Sequence, residues 1–106
     1  MNYNSHIIEV RQTDLFANWL RKLRDEQARA RILIRIRRLS LGNFGDGRPA
    51  GEGVSELRID YGPGYRVYFK RTESLLVFLL IGSTKKTQDE DIAKAKKLAK
   101  EAQSGS

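Results

Sequence analysis

Residues 56–71, ELRIDYGPGYRVYFKR, limit the possible folds of this chain more than any other segment. Gly62-Pro63-Gly64 marks a turn, because glycine admits positive φ and proline fixes its own φ and cannot continue a ladder. On either side the residues alternate. Leu57, Ile59 and Tyr61 share one face with Tyr65, Val67 and Phe69, while Glu56, Arg58 and Asp60 share the other with Arg66, Tyr68 and Lys70. The pattern predicts an antiparallel β-hairpin with one apolar and one charged face. Pairing Tyr61 near Tyr65 would set Asp60 opposite Arg66 and Arg58 opposite Tyr68. Arg66 on such a face is expected to be mostly exposed, so truncating it to alanine should leave the fold intact.

A chain of 106 residues, 40% of them apolar, suits one domain over residues 1–103 with a single modest core. Residues 104–106 read as a frayed tail or an expression remnant. The longest apolar run, 75–81, is far short of the ~20 residues that span a bilayer, and MNYNSHIIEV carries no secretory signal pattern. With no cysteine there is no disulfide framework or thiolate metal site, and one histidine argues against an imidazole site. The expectation is a cytoplasmic protein without metal or other cofactor and without a membrane partner. Twenty basic residues against thirteen acidic ones, a net charge of +7, favour a polyanionic partner: nucleic acid or an acidic protein segment.

Residues 5–10 read as a first strand. Thr13 or Asp14 caps a helix with the stripe Leu15, Phe16, Trp19, Leu20 and Leu23, in which Trp19 is a core residue rather than a base-stacking platform. Asp25 caps a second helix running to about Leu41, whose Ala28, Ile32, Ile36 and Leu39 should pack on helix one. Its outer side is crowded with Arg29, Arg31, Arg35, Arg37 and Arg38. Residues 42–53 hold five glycines and a proline and read as a connecting loop. No GKS or GKT follows, so this is not a phosphate-binding loop. Residues 75–81 are apolar on both faces, as in a strand covered on both sides. Thr87 with Glu90 resembles a capping box for a last helix starting near Gln88. The order is β-α-α-β-β-β-α: an α+β domain with a small, mostly antiparallel sheet, a helical hairpin packed on it and a C-terminal helix.

Cleaving an RNA phosphodiester requires positive charge at the scissile phosphate, plus groups to remove and deliver protons. Arg58 and Arg66 offer forked donors suited to phosphate oxygens, and Lys85 and Lys86 leave the adjacent strand at its end. Tyr68 could stack on a base or donate a proton, and Glu56 or Asp60 could act as base. Arg31, Arg35, Arg38 and Lys70 are candidates for gripping RNA. Simpler readings stand beside these: Asp60 and Arg66 as a cross-strand ion pair, His6 as structural, and the helical arginines and lysines as solvated faces.

ELRIDYGPGYRVYF, an apolar strand ending in G-x-x-K, and TQDEDIAKAKKLA together resemble the HigB-like addiction-module killer branch of the RelE/ParE toxin superfamily. The resemblance implies a RelE-like, microbial ribonuclease-like α+β fold and a ribosome-dependent mRNA endonuclease that uses 2′-hydroxyl attack without metal. It also implies a cognate antitoxin, often a helix-turn-helix DNA-binding protein, through which alone operator DNA is contacted. Arg66 is similar to the strand arginine that meets the scissile phosphate in RelE-type enzymes, Arg58 to an upstream basic residue, and Lys85 or Lys86 to another at the next strand's end. The tyrosine or histidine often found near the C-terminus of such enzymes is missing, which leaves Tyr68, Glu56 and Gln88 as candidates for proton transfer. The superfamily also contains ParE-type inhibitors of DNA gyrase, the alternative reading.

Overall fold

The computed structural model describes residues 8–44, 47–72 and 76–105, with side chains to residue 101. His6, the start of the expected first strand and Leu75 lie outside the described residues. The elements run β1 (Glu9–Gln12), α1 (Asp14–Lys22), α2 (Glu26–Ser40), β2 (Gly47–Gly51), β3 (Val54–Ile59), β4 (Tyr65–Thr72), β5 (Leu76–Thr84), a 3-10 turn (Lys85–Thr87) and α3 (Gln88–Gly105). One sheet has the order β1-β5-β4-β3-β2, parallel at β1–β5 and antiparallel elsewhere. This is the α+β architecture read from the sequence, with one strand more.

That strand is β2, inside the stretch expected to be a loop. GRPAG shows no hydrophobic alternation, and its ladder depends entirely on β3 next to it. An edge strand tolerates Pro49 and a register shift between Pro49 and Gly51 that a central strand would not. The last helix also reaches Gly105, so most of the expected tail is helical.

Both helix starts in the first half follow local chemistry. The Thr13 hydroxyl accepts from the Phe16 N–H at 3.0 Å, and the Asp25 carboxylate accepts from the Gln27 and Ala28 N–H groups at 3.0 and 3.1 Å. On α1, Phe16 is fully buried with Trp19, Leu20 and Leu23 packed on the same core, while Leu15 turns outward. The apolar stripe of α2 (Ala28, Ile32, Leu39) faces the sheet, where α2 contacts β3, and α1 rests on β5. The two helices therefore share one sheet face, and the α2 stripe lies in the same core as Phe16 of α1.

The hairpin has its two faces, but its register differs from the expected one. Ile59 pairs with Tyr65, so Arg58 stands opposite Arg66 and Glu56 opposite Tyr68. The turn occupies five residues, 60–64, with Gly62 and Gly64 at φ +57° and +81°. Two residues more in the loop shift the pairing by two and preserve the faces.

β5 carries a bulge. Tyr68 pairs with Ile81 but Phe69 with Leu79, so Leu80 is an extra residue. Leu80 and Ile81 consequently lie together in the core beneath α3, while Val77 and Leu79 belong to the core beneath α1 and α2. Thr13 fixes the bulge, its hydroxyl donating to the Leu80 carbonyl at 2.6 Å. Past the bulge the phase is reversed: Gly82 lies under the Trp19 ring, and Ser83 stands opposite Arg66.

The face expected to be charged and open is half covered. α3 buries Ala95 and Ala99 against Val54, Tyr68, Leu80 and Ile81. Tyr68 is fully buried, Glu56 is 3% exposed and Arg66 9%. Arg66 is therefore not the exposed charge the alternation suggested.

Candidate RNA-binding pocket

The uncovered end of that face is a pocket of about 540 Å3 lined by Arg35, Arg48, Arg58, Asp60, Gly62, Gly64, Arg66 and Lys85. Arg58 and Arg66 reach it as a directly opposed pair on β3 and β4. Arg35 comes from α2, where its Nη1 donates to the Arg58 carbonyl at 2.9 Å and ties the helix to the strand beneath. Lys85 opens the 3-10 turn after β5, and its backbone N–H donates to the Gly64 carbonyl at 2.8 Å. A Cβ on Gly64 would stand 3.2 Å from the Lys85 Cδ, and the residue's φ is +81°, so glycine there lets the loop meet the lysine closely.

Arg48 was not anticipated. It sits on β2 opposite Glu56, which places it on the same face. A lone arginine between glycines and a proline signals nothing by periodicity, and only the β2–β3 ladder assigns it a side. Among the described residues, five cations thus line the pocket with a single carboxylate, Asp60. Forked guanidinium groups suit phosphate oxygens, and among the described residues no aromatic ring lines the pocket for a base to stack on.

The other sequence candidates are distributed around this site. Glu56 lies behind the pocket wall: Oε1 accepts from Arg58 Nε at 2.9 Å, and Oε2 accepts from Gln88 Nε2 at 2.7 Å and the Tyr68 hydroxyl at 3.3 Å, with Arg66 Nε at 3.4 Å. Tyr68 is buried beneath α3, so it cannot stack on a base. Lys86 is exposed on the 3-10 turn and does not line the pocket. Arg31 and Arg38 line a neighbouring groove with Ile34, Arg35, Ile59 and Asp60, and Arg31 also lies 4.6 Å over the Tyr61 ring. Lys70 pairs with Val54 at the far end of the hairpin. The Thr87 hydroxyl, expected to cap α3, donates to the Asp91 carboxylate at 2.6 Å and shares a 3.0 Å bond with Ser83. Among the described residues no cluster of histidine, cysteine, aspartate and glutamate could hold a metal, and no helix is long and apolar enough to cross a membrane.

Burial, and after it the adjacent Glu56 carboxylate, push the Tyr68 phenol well above its ordinary value of 10.0. The folded state therefore holds the phenol neutral, whereas the unfolded chain releases its proton near pH 10. The resulting stabilisation is complete below pH 10 and is lost as pH rises beyond it. Urea midpoints measured from pH 8 to above pH 10 should fall steeply at the alkaline end, and Tyr68→Phe should flatten that fall. An unchanged slope in the variant would show that Tyr68 is not its source.

Similar solved structures are the chromosomal ParDE TA system from P. aeruginosa (22% identity, 76% of this chain and 98% of that one, TM-score 0.59) and a mutant of E. coli toxin RelE in the free state (13%, 84% and 93%, TM-score 0.65). The toxin–antitoxin complex RelBE2 from Mycobacterium tuberculosis is similar over 74% of this chain and 92% of that one, at 20% identity and TM-score 0.50. The chain has the fold of the RelE/ParE toxins. In sequence it is 51% identical over 94 residues to an uncharacterized protein of Haemophilus influenzae, covering 89% of this chain and 95% of that one, and it belongs to that protein's family. No protein-family model matches the chain.

Proposed function

We propose that this protein is the toxin of a type II toxin–antitoxin module and a HigB-like mRNA endonuclease acting on the ribosome. The observation that carries the reading is the convergence of Arg35, Arg48, Arg58, Arg66 and Lys85 on one pocket beside one carboxylate. A phosphodiester placed there has its non-bridging oxygens against the Arg58 and Arg66 guanidinium groups, where negative charge grows as the transition state forms. The neighbouring 2′-hydroxyl attacks phosphorus, the bond to the 5′ oxygen breaks, and a 2′,3′-cyclic phosphate and a free 5′-hydroxyl result. Asp60 is the carboxylate at the pocket and accepts the 2′-hydroxyl proton; Lys85 supplies the proton to the departing oxygen. Arg35 and Arg48 hold the flanking phosphates.

A cognate antitoxin as partner is supported by the fold neighbours, two of which are toxin–antitoxin assemblies. Leu33 and Ile34 on α2 are 48% and 51% exposed and lie beside Arg31, Arg37 and Arg38 in grooves that continue to the pocket through Arg35. An acidic amphipathic segment of a cognate antitoxin, itself a helix-turn-helix protein bound to operator DNA, fits this surface and blocks RNA access. Full-rate cleavage by an antitoxin-bound sample would rule out that occlusion.

Primer extension on cellular mRNA after brief induction, together with a supercoiling assay using purified gyrase, tests the function. New 5′ ends within codons and untouched supercoiling are expected. Gyrase inhibition without cuts would replace this reading with the ParE-type one, which the lack of a histidine or tyrosine among the described residues that line the pocket favours.

A further inference from the structure

We infer that Glu56 is a positioning residue: it fixes the guanidinium groups of Arg58 and Arg66 for the phosphate and takes no proton from the substrate. The inference rests on the ribonuclease reading and deepens it, since a buried carboxylate in such a site would otherwise be the obvious general base.

Three donors hydrogen-bond the Glu56 carboxylate and a second cation lies beside it. Arg58 Nε reaches Oε1, Gln88 Nε2 and the Tyr68 hydroxyl reach Oε2, and Arg66 Nε forms an ion pair with Oε2 at 3.4 Å without a hydrogen bond. The side chain is 4% exposed and does not line the pocket. A 2′-hydroxyl could reach it only by displacing a donor, whereas Asp60 already stands at the pocket wall. Both arginines approach through Nε, so the far end of each fork is left for the ligand.

The arrangement also answers an electrostatic problem. Two arginines directly opposite on neighbouring strands repel each other. A carboxylate beneath both offsets this repulsion and confines two long side chains to one geometry before the substrate arrives. Its own burial is tolerable because charged and neutral donors satisfy it. Gln88 completes the setting from the first turn of α3, so this helix is part of the device that aims the arginines.

The test uses the purified full chain carrying Glu56→Gln, Glu56→Asp, or Glu56→Gln combined with Gln88→Glu. The last exchanges amide and carboxylate across a 2.7 Å contact and keeps one negative charge beneath the arginines. Reporter-mRNA cleavage in a translation extract is read beside the arginine Nε–H signals in 15N NMR and the binding of an uncleavable oligodeoxynucleotide. Glu56→Gln should slow cleavage about 100-fold and shift or broaden the Arg58 and Arg66 Nε–H signals. The exchanged pair should recover at least part of the rate together with the signals. Loss of cleavage with both signals unchanged, and no recovery in the exchanged pair, would make Glu56 the base and overturn the inference. Full-rate cleavage by Glu56→Gln would overturn it as well. If Glu56→Gln does not fold, Glu56→Asp and the exchanged pair are read by the same criteria. If the wild-type chain cuts no RNA, the ribonuclease reading fails by itself; shifted Nε–H signals and altered oligodeoxynucleotide binding in Glu56→Gln, both restored in the exchanged pair, then uphold the positioning role, and unchanged signals and binding overturn it.

Discussion

Arg66→Ala is expected to lower mRNA cleavage by about 100- to 1,000-fold, the loss typical of removing one donor from a developing oxyanion. It is also expected to destabilise the fold by about 1–3 kcal/mol. The second effect follows from burial: Arg66 is 9% exposed and its Nε lies 3.4 Å from a carboxylate that is itself almost inaccessible. Truncation leaves Glu56 with one cation fewer in a setting that water does not reach easily. Arg66→Lys keeps the charge but loses the fork, so it should fall between wild type and alanine in cleavage rate. Urea denaturation gives the stability change. The salt dependence of single-stranded RNA binding should lose about 0.7 in slope for one phosphate contact removed. A folded alanine variant that cleaves at full rate would remove Arg66 from the site.

The largest effect on stability is expected at Gly82, where alanine should cost about 3 kcal/mol or more, at or above the upper end for overpacking. A Cβ there would lie 2.3 Å from Trp19 Cε3 and Cζ3 and 2.7 Å from Cδ2, separations that no small adjustment relieves. The ring has little room to retreat: its centroid is 5.7 Å from that of Phe16 and 6.2 Å from that of Tyr65. Trp19→Leu alone is destabilising because it leaves a void in this cluster. Combined with Gly82→Ala it should cost less than the two changes added, with a coupling of about 1 kcal/mol or more. Additive losses in thermal or urea unfolding would mean that the ring and the glycine do not meet as described. Because the bulge at Leu80 sets which β5 residue lies under Trp19, the same experiment reads its phase.

Much of the framework was legible because its causes are local. Alternation gave the hairpin its faces, oxygen-bearing residues at Thr13 and Asp25 marked the helix starts, and the doubly apolar run in β5 announced cover on both sides. Arg58, Arg66 and Lys85 could be suspected together because the hairpin and the next strand bring them close. The illegible parts depend on partners distant in sequence. Strand β2 exists only where β3 offers an edge, so Arg48 was missed. The register depended on two more loop residues than the glycines and proline suggested. Tyr68 looked open because nothing in its own strand reveals the helix that covers it.

The sequence by itself determined the α+β class, the positions of most elements and the basic character of the molecule, since periodicity, capping and charge act between near neighbours. Tertiary structure decided which charges are buried and which meet. Burying Glu56 beneath α3 and opposing Arg58 to Arg66 requires strand pairing and helix packing over some thirty residues, and at that range only the assembled sheet sets the distance between two charges.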